Sequence, residues 1–286
     1  MPADRNGLDR AVLFLHIPKA AGQTLSQVIV RHFDPATVFT IGRPNSQFIE
    51  KLKNLSDSER AKIRLIKGHM PFGLHEYLLR PSTYITMLRE PVDRVISYYY
   101  FALRTPDHYL HEILHSKRMS LRDFVLDGLP TELDNGQTRL LSGIGNSVGV
   151  GQCDLKMLER AKRNLASYFA VIGFLEWFDE TLLLLRSIFG WRNLYYARLN
   201  VTRNRPSKDA VDHETLDAII RSNELDRHLY EWARNRFERQ LGCLGPPFQR
   251  ELATFRWQNA VYGRLLSYKL RLANQKGIHG NSFTNR

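Results

Sequence analysis

Apolar residues fall into short unbroken runs, separated by longer stretches in which they recur every three or four positions. The runs at residues 11–16, 64–68, 84–88 and Phe169–Phe174 have the length and continuity of strands buried on both faces. Between them, residues 24–33 and 181–189 carry helical spacing, and residues 43–60 read as helix and loop. Pro91 opens a further helix through about Arg104, since proline suits a first helical turn. Residues 194–199 suggest a last strand. The alternation of strand and helix predicts an α/β fold with a parallel sheet flanked by helices.

The rest reads as mostly helical. Residues 117–163 are broken by a Gly/Asn-rich stretch at 142–151, and residues 213–241 read as two helices. After Gly245-Pro246-Pro247 the composition shifts. Residues 250–286 hold seven Lys/Arg against one acidic residue, Glu251, with Phe255, Trp257, Tyr262, Leu265, Leu266 and Tyr268 at amphipathic spacing. A domain over residues 1–245 is expected, with 246–286 as a basic helical tail docked on it. Membrane-surface or polyanion contact is the other reading of that composition.

Three predicted strands end in polar chemistry: His16 followed by Lys19, then His69, then Arg89. Open α/β sheets bind ligands beyond the carboxyl ends of their strands, so these residues are expected to share one crevice.

Bulk composition narrows the partners. The 286-residue chain carries a formal charge of +12, which favours anionic ligands without choosing among them. Its two cysteines, Cys153 and Cys243, show no metal-type spacing and suit a reducing compartment. No secretory leader or long apolar span is read, so a cytoplasmic protein is expected. No HExxH, CxxC or carboxylate cluster argues for a metal. His108, His111 and His115 share helical spacing but read better as a helix face.

The segment FLHIPKAAGQTL, residues 14–25, places a tight turn between strand and helix. Amides at a helix N-terminus favour an anion. Gly22 would permit close approach, Thr24 would add a hydroxyl and Lys19 a charge. In TMLREPVDRVISYYY, residues 86–100, Arg89 closes a strand and Ser97 follows two helical turns later, so the pair could clamp one phosphate. A solvated turn lysine, and a helix whose Asp93 and Arg94 make surface pairs, would read the same way.

These two segments, in this order and about 70 residues apart, resemble the cofactor-binding motifs of sulfotransferases. The likeness is to the heparan sulfate 2-O- and 6-O-sulfotransferase group and its bacterial relatives. Ala20, Ala21 and Gln23 stand where that group usually has Thr, Gly and Thr. The resemblance implies a P-loop-like sheet and 3′-phosphoadenosine 5′-phosphosulfate as sulfate donor, without a metal. Lys19, Ala21, Gly22, Gln23, Thr24 and Leu25 would surround the 5′-phosphosulfate, and Arg89 and Ser97 the 3′-phosphate. Arg203, in the familiar-looking LNVTRNRP, would with Arg205 cover the nucleotide or meet an anionic acceptor, solvated loop charges being the equal alternative. KGHMPFG, residues 67–73, is similar to the segment holding the group's catalytic base, which makes His69 the base and Lys19 the group on the leaving side. DNGQTRLL, residues 134–141, also looks familiar, and implies acceptor or cofactor contacts from Gln137 and Arg139, a buried hydrogen-bonding helix being the other reading. His16 and His75 are further candidates for the acceptor side.

The expected activity is sulfuryl transfer to a hydroxyl acceptor, a carbohydrate or glycolipid and not nucleic acid. Two rivals remain at this level. A P-loop kinase-like enzyme lacks its GxxxxGK[ST] here, and a non-catalytic polyanion-binding protein of the same fold would keep the basic charge.

Overall fold

Five strands form one parallel sheet in the order β2-β3-β1-β4-β5. They are β1 (Ala11–Leu15), β2 (Val38–Ile41), β3 (Leu65–Gly68), β4 (Ser82–Leu88) and β5 (Phe169–Phe174). The computed structural model describes residues 10–127, 130–197 and 208–275, with side chains to residue 266 except Asn146. β1 lies at the centre and every residue in it is buried, as a strand covered by helices on both faces requires.

The strands expected from apolar runs are present at 11–15, 65–68, 82–88 and 169–174. β2 is an addition. Its sequence VFTI is short and mostly half-exposed, so it carries no continuous apolar run. The strand expected at 194–199 is absent over 194–197, and 198–199 lie outside the described residues. Side chains of the C-terminal helix take up polar groups there: Tyr196 N donates to Asn259 Oδ1 at 2.8 Å and Tyr195 Oη to Gln258 Oε1 at 2.8 Å.

The helices that frame the sheet begin with α1 (Gly22–Val30), α2 (Asn45–Lys53), α3 (Asp57–Arg60) and α4 (Pro91–Arg104). Glu90 caps α4 through its carboxylate, which accepts from the amides of Val92 at 3.2 Å and Asp93 at 2.7 Å. Next come α5 (His111–Ser116), α6 (Leu121–Leu126), α7 (Gly136–Ser142), α8 (Leu155–Tyr168) and α9 (Phe178–Phe189). The chain ends in α10 (His213–Ser222), α11 (Glu224–Gly242) and α12 (Gly245–Gln275). Phe248, Leu252 and Phe255 of α12 are buried in the main core, and Arg256 reaches Asp179 and Glu180 on α9. Trp257 and Leu265, on the same helix, are exposed.

A second apolar cluster joins α4, α5, α6 and α10 beside the main core. Arg94 of α4 is fully buried and faces Asp226 of α11 at 3.5 Å, so the surface pairing open to it on sequence grounds is not what forms. Asp226 also accepts from the amides of Gln137 (3.0 Å) and Thr138 (2.7 Å) at the start of α7. In return, Asn135 Oδ1, just before α7, accepts from Leu225 N and Asp226 N at the start of α11. The two helices thus cap one another.

Candidate active site

Strand register lines up the carboxyl ends. Leu15 of β1 sits beside Gly68 of β3 and Thr86 of β4; Gly68 sits beside Ile41 of β2, and Leu88 beside Phe174 of β5. Read across the sheet, the strand tips therefore lead into Arg43, His69, the loop after His16, Arg89 and Glu176. The chain leaves β1 toward β2 and β3, then crosses to β4 and β5. That reversal opens a crevice between the tips of β1 and β4. A cleft of about 950 Å³ lies there, lined by residues from all five tips and from α4.

The turn from β1 into α1 holds Lys19 at φ 69° and Ala21 at φ 59°, both left-handed. Such backbone costs about 1–2 kcal/mol at a residue with a Cβ and collects at ligand clamps. Ala21 is the N-cap of α1 and offers no side-chain acceptor to the first turn. The first-turn residues Gly22, Gln23 and Thr24 line the cleft with the positive end of the helix. Gly22 has a different cause from the one its motif suggests: a Cβ there would fall 1.9 Å from His16 Cδ2, so the glycine makes room for the His16 ring. Gly68 is equally constrained. At φ 140°, a Cβ would lie 2.2 Å from the Ile41 carbonyl oxygen, which brings β2 close against the tip of β3.

The ends of the two motifs meet. Arg89 Nη1 donates to the Lys19 carbonyl at 3.0 Å. Gln137 brackets the Arg89 backbone: its Oε1 accepts from Arg89 N at 3.2 Å and its Nε2 donates to Arg89 O at 3.0 Å. Ser97, Phe101 and Arg104 share one face of α4 at helical spacing and line the cleft. Lys19 Nζ lies 3.7 Å from the Phe101 ring centroid, a cation–π contact that aims the ammonium across the cleft.

His69 follows β3 and packs against His16, ring centroids 4.2 Å apart. Its Nδ1 lies 2.8 Å from the His16 carbonyl oxygen. A carbonyl only accepts, so Nδ1 carries the proton and Nε2 keeps a lone pair. Burial lowers the His69 pKa to about 4, with Arg43 and Lys19 adding to the shift and the His16 carbonyl opposing it. Burial, then His69, holds His16 well below the usual range too. Both shifts favour the neutral rings, since two cations would otherwise stand side by side.

A family model described as galactose-3-O-sulfotransferase matches residues 2–266. The chain belongs to the galactose-3-O-sulfotransferase family. Among curated relatives, a heparin sulfate O-sulfotransferase of Drosophila melanogaster is 26% identical over 241 residues, covering 78% of this chain and 67% of that one. Galactose-3-O-sulfotransferase 3 of Mus musculus is 27% identical over 255 residues (82% and 58%), and the galactosylceramide sulfotransferase of the same species 25% over 283 (87% and 62%). The chain thus spans 58 to 67% of the length of these relatives. A solved mouse sulfotransferase complexed with PAP aligns at a TM-score of 0.38 and 14% identity, covering 77% of this chain and 65% of that chain.

In this sulfotransferase-family chain, Lys19, Ala21, Gly22, Gln23, Thr24, Arg89, Ser97, His16 and His69 share the cleft. Leu25 does not: its side chain is in the core and its amide donates to Ala21 O at 3.2 Å. His75 also lies elsewhere, its Nδ1 3.0 Å from Tyr84 Oη in an aromatic cluster with Phe72 and Tyr168. Gln137 and Arg139 are buried and take no place in the cleft lining. Arg139 is spent on Asp134 and on the carbonyls of Gly145, Val148 and Gly149, which staple the 143–151 turn. Arg203 and Arg205 lie outside the described residues. His111 and His115 donate to the carbonyls of Ala102 and Leu103, while His108 turns toward the cleft. Among the described residues no three His, Cys, Asp or Glu side chains are grouped to hold a metal ion.

Several cleft residues were not anticipated, among them Arg43, Phe101, Arg104, Phe178 and Tyr196. Phe101 and Arg104 could have been found from their helical spacing to Ser97. Arg43 could not, because the strand it follows gave no apolar run. Phe178 and Tyr196 join the lining only through the packing of α9 against the 191–197 segment, with their rings 4.7 Å apart.

Proposed function

We propose that the protein transfers a sulfuryl group from 3′-phosphoadenosine 5′-phosphosulfate to a hydroxyl of a carbohydrate or glycolipid acceptor. The observation that carries the reading is the 3.0 Å bond from Arg89 to the Lys19 carbonyl, which joins two anion-binding elements in one cleft. The residues suit the donor. Gly22, Gln23 and Thr24 present the start of α1 to the 5′-phosphosulfate, with the Lys19 ammonium beside it. Arg89 and Ser97 offer a guanidinium fork and a hydroxyl to the 3′-phosphate. Leu175, Phe178 and Tyr196, at the β5 tip, supply apolar and aromatic surface for a base.

Transfer forms an S–O bond to the acceptor oxygen, breaks the S–O bond to the phosphate, and leaves one proton to be removed. His69 Nε2 takes that proton, and its tautomer is set by the His16 carbonyl. Lys19 stabilises the negative charge that builds on the departing phosphate. A pKa near 4 makes His69 a weak base by itself, but anionic charge beside it favours the imidazolium and strengthens the base when it is needed. A cytoplasmic location belongs to the same proposal and is supported by the unpaired state of Cys153 and Cys243. Among the described residues no helix is long and apolar enough to cross a membrane.

The test uses labelled donor with a panel of sugar acceptors, alongside calorimetric titration with 3′,5′-adenosine bisphosphate (PAP). Wild type should bind PAP and transfer label, and Lys19→Ala should weaken donor use. Binding of ATP with Mg²⁺ but not of PAP would replace this reading with a kinase-like one. Salt-sensitive polyanion binding without PAP binding would leave only a binding protein.

A further inference from the structure

The cleft has two ends, and the proposed donor accounts for only one. Neighbouring strands lie about 4.8 Å apart, so the β2 tip stands roughly 10 Å from the β1 tip, with His69 on β3 between them. Arg43, just beyond β2, follows a strand two places from β1, and its charge reaches the base, His69. It is exposed, lines the cleft, and has no carboxylate partner among the described residues. Its guanidinium sits 6.0 Å from the Tyr109 ring centroid, and Tyr109 stacks on His108 with centroids 4.8 Å apart. The segment is tied to the base, since Asn45 Nδ2 donates to the His69 carbonyl at 3.3 Å. The one carboxylate in the lining, Glu176, is at the opposite tip and already accepts from Glu90 N at 3.2 Å. The planar cation at the β2 end is steadied against an aromatic ring.

We infer that Arg43, flanked by Tyr109 and His108, binds an anionic substituent of the acceptor, so that acidic sugars are preferred to neutral ones. This rests on the sulfotransferase reading. The shared chemistry is an oxyanion on a sugar close to the accepting hydroxyl, either a uronic carboxylate or a sulfate ester already in place. A guanidinium pairs with either through two parallel N–H···O bonds, while a lysine offers only a point charge. Tyr109, more than half exposed, adds an apolar face against which a sugar ring can lie.

The experiment compares wild type, Arg43→Gln and Arg43→Lys on three acceptors: a uronic-acid disaccharide, a sulfated galactoside and a neutral galactoside. PAP affinity is measured in parallel. Wild type should use at least one acidic acceptor with kcat/KM at least 10-fold above that for the neutral one. Arg43→Gln should raise KM for that acceptor about 10- to 100-fold, leave kcat within about 3-fold and leave PAP affinity unchanged. Arg43→Lys should recover part of the loss. Which acidic acceptor responds identifies the anion. Equal use of neutral and acidic acceptors by wild type would overturn the inference, as would an Arg43→Gln effect confined to kcat or PAP affinity, while PAP binding and transfer would leave the parent reading standing. Absence of PAP binding and of any transfer would overturn both.

Discussion

The two ends of the cleft are built differently. At the β1 and β4 tips, the site is backbone and buried side chain: left-handed residues, a capless helix start, and an arginine whose main chain is gripped by Gln137. At the β2 and β3 tips it is one exposed arginine on a loop and a histidine oriented by a single carbonyl. A main-chain cradle suits a ligand that never changes, because amides and helix ends cannot be re-aimed by one substitution. A side chain on an edge loop suits a partner that differs between relatives. The curated relatives, named for heparan-type, galactose and galactosylceramide acceptors, show that breadth.

The sharpest way to break this comparison is at the base. His69→Ala should lower kcat by about 10²–10⁴-fold with PAP affinity preserved, read by steady-state kinetics and calorimetry. An equal loss of PAP binding would mean that His69 belongs to the donor end instead. Next in size is the grip on Arg89. Gln137→Leu leaves a buried N–H and C=O unpaired, so it should cost about 1–3 kcal/mol of stability and weaken PAP binding about 10-fold or more. Denaturant unfolding and calorimetry measure the two, and Gln137→Glu, which keeps one acceptor, should fall between.

Acid provides a subtler probe. His69 has its folded pKa depressed to about 4 from an ordinary 6.5, and His16 is shifted the same way. Between those values the unfolded chain binds more protons, so stability should be present above about pH 6.5 and drain away as pH falls toward 4. The acid limb of kcat/KM should fall at the low end of that window. The limb of kcat should sit higher, since bound anion favours the imidazolium. Coincident limbs would count against His69 as the base. The smallest effect is expected at Ala21, whose φ of 59° suits glycine: Ala21→Gly should raise stability by about 0.5–1 kcal/mol in chemical denaturation with little change in turnover.

Legibility followed burial and range. β1, β3, β4 and β5 were readable because a strand covered on both faces is a continuous apolar run. β2 was not, because an edge strand needs no such run, and with it went Arg43. Lys19, Arg89 and Ser97 were named from motif chemistry, and the fold brings them into one cleft. Gln137 and Arg139 were flagged by the likeness of their segment, yet their partners, the backbone of Arg89 for one and the 143–151 turn for the other, are contacts that no local pattern encodes. Gly22 was read as room for a phosphate, although the space belongs to the His16 ring.

By itself, then, the order of apolar runs and strand-to-helix turns determined the layered α/β architecture, the family likeness and the strand tips that meet at the cleft. Periodicity and helix-terminus chemistry are local properties of a chain. Folding alone decided which tips are neighbours, which arginine is gripped and which stands exposed in the cleft, and which histidine nitrogen keeps its lone pair. Each of those depends on atoms brought within about 3 Å from distant parts of the chain, where burial and hydrogen-bond geometry select one arrangement.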